Sequence, residues 1–135
     1  MLKFLKNLFA SRPITLAAKK GKIGEDAAAS FLKKNRGMKI LRRNFRSGRT
    51  EIDLIAIDGQ TTVFVEVKTR SKCAKVDGYY AAVSKKKRSA VRRCAFAYMS
   101  SLSAKPRTWR FDVVDVVLDD NLSVVSLRHF ENARF

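Results

Sequence analysis

The chain has 135 residues, 46% of them hydrophobic, enough for one domain with a buried core and too few for two comfortable ones. Its 29 Lys and Arg stand against 12 Asp and Glu, a formal net charge of +17, and self-repulsion of that size points to a polyanionic partner, nucleic acid first. Nine Phe exclude a disordered chain, and no apolar run approaches the ~20 residues of a membrane-spanning helix, so stable membrane insertion is not expected.

The chain opens with an amphipathic stretch in which Leu2, Leu5 and Phe9 share a helical stripe until Pro13 breaks it. Residues 1–19 therefore read as an arm, packed on its own domain or a neighbouring subunit, with membrane-surface contact as the sharper alternative. Lys3 and Lys6 interrupt the apolar run, and no cleavage-site pattern follows, so a signal peptide is disfavoured. Residues 20–135 read as the domain proper. Ile23, Ala27, Ala28, Phe31 and Leu32 recur near a 3.6-residue period, which predicts a helix from Gly24 to Arg36 stopped by Gly37.

A basic strand over Met38 to Arg46 and a turn at Ser47-Gly48-Arg49 follow. Residues 51–57 and 61–68 then form a hairpin across Asp58-Gly59-Gln60, since Asp-Gly favours a tight turn. Ser84 caps a helix burying Val91, Cys94, Ala95, Tyr98, Met99 and Leu102, and two strands over 110–118 and 122–130 close the chain. The order predicts an α/β domain, a mixed sheet flanked by helices, with the second helix as crossover. Cys73 and Cys94 lack a CxxC spacing or a neighbouring His, so they read as packed thiols in a reducing cytoplasm. Trp109 reads as a core anchor and His129 as a core or capping residue; Tyr79 and Tyr80 read as loop packing, with base stacking as the alternative.

The carboxylates of the hairpin carry the chemistry. With Asp58-Gly59 as the two-residue turn, Asp53 stands opposite Phe64 and Glu51 opposite Glu66, and Glu51, Asp53, Glu66 and Lys68 share one face. Like charges directly opposite in a sheet are destabilising unless a cation sits between them. Hard oxygen donors of this kind suit Mg²⁺ or Mn²⁺. The competing reading is a solvated polar face, weakened because these acids lie within apolar strands of a strongly basic chain.

Glu25, Asp53 and Glu66-Val67-Lys68 resemble the Asp…Glu-x-Lys motif of restriction-endonuclease-like nucleases. More closely, Gly24-Glu25-Asp26-Ala27-Ala28, Glu51 to Ile55, Phe64 to Arg70 and His129 to Ala133 resemble the bacterial YraN family of predicted endonucleases over residues 20–135. Thr50 departs from the Gly usual there. The resemblance implies a restriction-endonuclease-like fold, similarity to archaeal Holliday junction resolvases, a homodimer, and structured or branched DNA as substrate, with RNA less expected. It further implies Mg²⁺ or Mn²⁺ held by Asp53, Glu66 and the Val67 carbonyl, with Glu25 as an outer or second-metal contact, while Glu51 joins the metal candidates on the hairpin register alone. Glu25 reads equally as an ordinary acid near a helix N-terminus. Lys68 is read as orienting the attacking water and balancing phosphate charge rather than as a general base, since adjacent carboxylates favour its ammonium form.

Fourteen of the basic residues and two of the acids fall in residues 1–50. Arg43, Arg46, Arg49, Arg70, Lys86, Lys87, Arg88 and Arg92 form the candidate nucleic-acid surface, suited to backbone tracking because no base-reading motif accompanies them. The rival to an endonuclease is a binding module on the same fold that holds nucleic acid without cutting it.

Overall fold

The computed structural model describes residues 12–72 and 83–135. The expectations for most of the arm, for Cys73 and for Tyr79 and Tyr80 therefore lie outside the described residues.

Helix α1 (Leu16–Arg36) begins earlier than the apolar pattern suggests, because Thr15 caps it: its hydroxyl accepts the Ala18 N–H at 3.1 Å. The periodicity starts only at Ile23 because residues 16–19 are exposed, and only the later turns pack. Gly37, in the left-handed region at φ +64°, ends the helix, and Lys33, Lys34 and Arg36 suit the negative end of its dipole. Strands β1 (Lys39–Ser47), β2 (Thr50–Asp58) and β3 (Thr61–Ser71) form an antiparallel meander. Helix α2 (Lys85–Ser101) crosses to β4 (Thr108–Leu118), parallel to β3, and β5 (Val124–Phe130) returns antiparallel.

The sheet order is sequential, β1 to β5, with one helix packed on each face. On the α1 face, Ala28, Ala29 and Leu32 meet Leu54, Val63, Val65, Val114 and Val116. On the α2 face, Val91, Cys94, Ala95, Tyr98 and Met99 meet Ile52, Ile55 and Phe64, the predicted apolar stripe of that helix. Cys94 is buried, and burial pushes its thiol up. Among the described residues no helix is long and apolar enough to cross a membrane.

The hairpin register differs from the sequence expectation. Gly59 at φ +60° occupies the first of two central turn residues, and Gln60 is the second, so Asp58 pairs with Thr61 and Ile55 with Phe64. Glu51 is thus not opposite Glu66, nor Asp53 opposite Phe64. Asp58 remains in the strand, paired with Thr61, and its carboxylate takes the Arg110 guanidinium at 2.9 Å. The shift moves the pairing by an even step, which by itself turns no side chain over. The single face expected for Glu51 and Asp53 fails instead because alternation breaks between Ile52, which lies with Ile55 on the α2 side, and Leu54, which lies on the α1 side.

Trp109 is also corrected: it is 44% exposed, at the start of β4, edge-on to the equally exposed Phe96. The polar anchor of this region is instead Asp112, fully buried, which accepts from Arg110 Nε (2.9 Å) and the Asn132 amide (2.9 Å) and pairs with His129 Nε2 (2.8 Å). The side chain of His129 is fully buried, a core histidine as expected. Burial pushes the Asp112 carboxyl up, but His129, Arg110 and Asn132 outweigh it and hold it below the ordinary range.

Asp112→Ala is expected to cost about 3–5 kcal/mol in urea denaturation near neutral pH, since it leaves the buried His129 ring and the Asn132 amide without their acceptor and takes one of two carboxylate partners from Arg110, which keeps Asp58. A lowered carboxylate contributes stability above its unfolded value and loses it as pH falls through its folded value, so this deficit shrinks in acid. A loss below about 1 kcal/mol at pH 7 contradicts the anchor.

Candidate metal and phosphodiester site

The site forms where β2 and β3 part. Their ladder runs from Asp58/Thr61 to Leu54/Val65, and one step beyond it Asp53 Oδ2 accepts the Val67 N–H at 2.7 Å. The β1 ladder likewise has no pair between Arg43/Leu54 and Phe45/Ile52, where Asn44 adopts φ +52°. Alternation therefore breaks at Asp53, and Ile52 joins Ile55 on the α2 side. Freed from the ladder, Asp53 is available to a ligand. In an extended strand a residue's carbonyl points to the same side as its amide, so the Val67 carbonyl opens toward the same carboxylates.

Carboxylate oxygens of Glu25, Glu51 and Asp53 lie within 4.8 Å of one another. Glu66, 4% exposed, stands beside Asp53, and its Oε1 is 3.5 Å from Lys68 Nζ and 3.8 Å from Lys87 Nζ. Its Oε2 is buried without a hydrogen-bond partner. Burial first, and then the charge of Glu66, push the Asp53 carboxyl up to about 8 against the pull of the Val67 amide. Burial and the neighbouring Glu51 and Asp26 raise Glu25 as well, with Arg43 and Lys22 opposing. Four acids and one lysine predicted from the sequence thus come together, as two groups sharing Asp53. The orphaned oxygen, the crowded charges and the all-oxygen donor set fit a hard divalent cation.

Glu25 reaches the strands because α1 lies hard against β3 at Gly24. A Cβ on Gly24 would lie 1.8 Å from Thr69 Oγ1 and 2.9 Å from Thr69 Cβ. Gly24→Ala gains up to ~1 kcal/mol of helix propensity, but overpacking costs about 1–3 kcal/mol, so net destabilisation and a displaced Glu25 are expected. Thr69→Ala in the same background should recover part of the loss in thermal unfolding. Equal stability of Gly24→Ala and wild type contradicts the close approach.

The basic candidates divide. Arg43 pairs with Asp26 (2.6 Å), Arg46 with Glu51 (3.1 Å) and Arg70 with Asp115 (2.9 Å). Arg88 and Arg92 donate to the carbonyls of Arg134 and Phe135, holding the chain end onto α2. Arg49 and Lys86 are exposed, and Lys87 turns to Glu66. The signal that separates it from Lys85 and Lys86 is its spacing, four residues before Val91 and seven before Cys94 on the predicted apolar stripe, while the acid it meets depends on how α2 packs.

A mixed five-stranded sheet between two helices, with carboxylates where its central strands part, is an α/β fold consistent with the restriction-endonuclease-like class. A family model described as uncharacterised protein family UPF0102 matches residues 24–116, and the chain belongs to that family, the YraN family of the sequence resemblance. It is 39% identical over 118 residues to the UPF0102 protein of Chlorobium phaeobacteroides, covering 84% of this chain and 91% of the relative. It is 43% identical over 115 residues to that of Alkaliphilus oremlandii, covering 84% and 95%. With the Caldicellulosiruptor saccharolyticus protein the identity is 40% over 113 residues, covering 84% and 94%. These relatives carry the family name and no stated activity.

Proposed function

We propose that this chain is a metal-dependent endonuclease that hydrolyses phosphodiester bonds of structured or branched DNA. The observation that carries the reading is the Asp53–Glu66 pair, two acids crowded at the parted strands with one carboxylate oxygen partnerless and Lys68 against the other. Asp53, Glu66 and the Val67 carbonyl would hold Mg²⁺ or Mn²⁺, with Glu51 and Glu25 completing the oxygen shell directly or through water. When bound, a divalent ion supplies polarisation of the scissile phosphate and a lowered pKa for an attacking water. Glu66 positions Lys68 at 3.5 Å, from where its ammonium donates to a phosphate oxygen or orients the water. The Val67 amide fixes the Asp53 carboxylate by a 2.7 Å bond. Exposed Arg49 and Lys86 add backbone attraction that carries no sequence information.

The test is a cleavage assay of the purified protein on duplex, single-stranded, flap and four-way-junction DNA, with Mg²⁺, Mn²⁺ or EDTA. Metal-dependent cutting of a branched substrate is the expected result. Binding without cutting under every condition replaces this reading with the non-catalytic binding module.

A further inference from the structure

Beside the carboxylates, α1 and the end of β3 enclose a cleft of about 330 Å³, lined by Lys20, Gly21 and Glu25 on one side and Val67, Lys68 and Thr69 on the other. Two of its residues are not explained by folding. Gly21 lies inside a helix, where glycine is poorly suited, yet a Cβ there would meet nothing within 4 Å. Thr69 demands the absence of a side chain at Gly24, but no neighbour demands it at Gly21. A bare stretch of helix backbone facing a cleft is what glycine supplies where a ligand approaches the chain.

Lys20 is the second. It is half-buried, and its Nζ donates to Ser71 Oγ at 2.9 Å, a neutral acceptor. Among the described residues it forms no ion pair with a carboxylate, whereas Lys68 across the cleft is paired with Glu66. An ammonium steered by a hydroxyl keeps donors and its full charge for an anion. Gly21 precedes Glu25 by one helical turn, about 6 Å along the axis, so an anion at Gly21 sits one step away from the carboxylates rather than among them.

We propose that this cleft seats a backbone phosphate of the nucleic acid next to the scissile one, with Lys20 as its ligand and Gly21 as the bare wall it rests against. The choice of a nucleic-acid phosphate rests on the endonuclease reading above. Lys20 binds and positions; it takes no part in bond breaking.

The experiment measures binding of a labelled four-way junction in EDTA across a salt series, and its cleavage in Mg²⁺, for wild type, Lys20→Gln, Lys20→Arg, Gly21→Phe and Lys19→Gln. Lys20→Gln is expected to weaken binding about fivefold and to lower the slope of log affinity against log salt by about one. Lys20→Arg restores both. Gly21→Phe weakens binding with no change of charge, and Lys19→Gln, altering an exposed lysine outside the cleft, has the smaller effect.

Wild type that cuts the junction while Lys20→Gln matches Lys19→Gln and Gly21→Phe matches wild type overturns the subsite and leaves the endonuclease reading standing. Cleft-dependent binding without cutting keeps the cleft as a seat for a backbone phosphate but removes the endonuclease and, with it, the placing of that phosphate next to a scissile one. Wild type that binds no nucleic acid overturns both. If Gly21→Phe fails to fold, the contrast of Lys20→Gln with Lys19→Gln and its rescue by Lys20→Arg decide.

Discussion

Asp53→Asn and Glu66→Gln are each expected to lower cleavage on the order of 10²-fold or more while leaving metal-free DNA binding intact or tighter. Losing even an outer partner of a metal ligand costs roughly 10- to 100-fold, so losing a ligand that also carries charge costs more. Both substitutions keep the shape, and in Asp53→Asn the side-chain amide oxygen can still accept the Val67 N–H. Glu66→Gln removes a negative charge that repels phosphate when the cation is absent. Asp53 already holds its proton below about pH 8 without metal, so Asp53→Asn leaves binding near wild type there and tightens it only at higher pH. Lys68→Ala should abolish cutting as well, but with weaker binding, since it removes a positive charge from the same place. The opposite signs on binding separate these roles from simple unfolding. If all three variants cut like wild type, the carboxylates are not the site.

The second large effect is on stability. In EDTA the wild-type protein is expected to lose stability as pH rises from about 4 to 8, by on the order of 2–4 kcal/mol, and Asp53→Asn to remove most of that slope. Asp53 has a folded value raised to about 8 from the ordinary 3.8, chiefly by burial and then by Glu66. The folded state therefore holds a proton that the unfolded state has released, so stability is full below the unfolded value and falls as pH climbs through the folded one. At pH 8, Asp53→Asn should then be more stable than wild type without metal. A divalent ion favours the ionised acids, so Mg²⁺ or Mn²⁺ should stabilise wild type increasingly as pH rises and barely affect the variant. Denaturation across pH 5 to 8.5, with and without the ion, reads both effects. The same slope in wild type and Asp53→Asn would falsify the crowded pair.

The strand and helix order was legible because each element carries its own local signal. Alternation marks β2 and β3, a 3.6-residue stripe marks α2, and the positive-φ glycines Gly37 and Gly59 mark a helix end and a turn. Face assignment along most of β3 followed from alternation alone, so Glu66 and Lys68 could be placed together. The start of α1 was hidden because its first turns are exposed, and an exposed helix shows no apolar period.

What tertiary structure decided is everything that depends on where two segments meet. Asp58 pairs with Thr61 and takes Arg110, 52 residues away, while Gly59, at φ +60°, fills the first central position of the two-residue turn. The parting of β2 from β3 beyond Leu54 releases the Asp53 carboxylate, and no local pattern encodes it. Gly24 brings Glu25 to the strands only because Thr69 lies opposite, and Lys87 rather than Lys85 or Lys86 reaches Glu66 only because α2 is rotated to bury Val91 and Cys94. The sequence by itself determined which acids and which lysine were available and on which strands they stand, since side-chain alternation is a property of one strand. Their meeting at one point, the exposure of Trp109 and the diversion of Arg88 and Arg92 to the chain end were decided by long-range packing, because a contact between distant residues depends on both partners and neither one's neighbourhood records it.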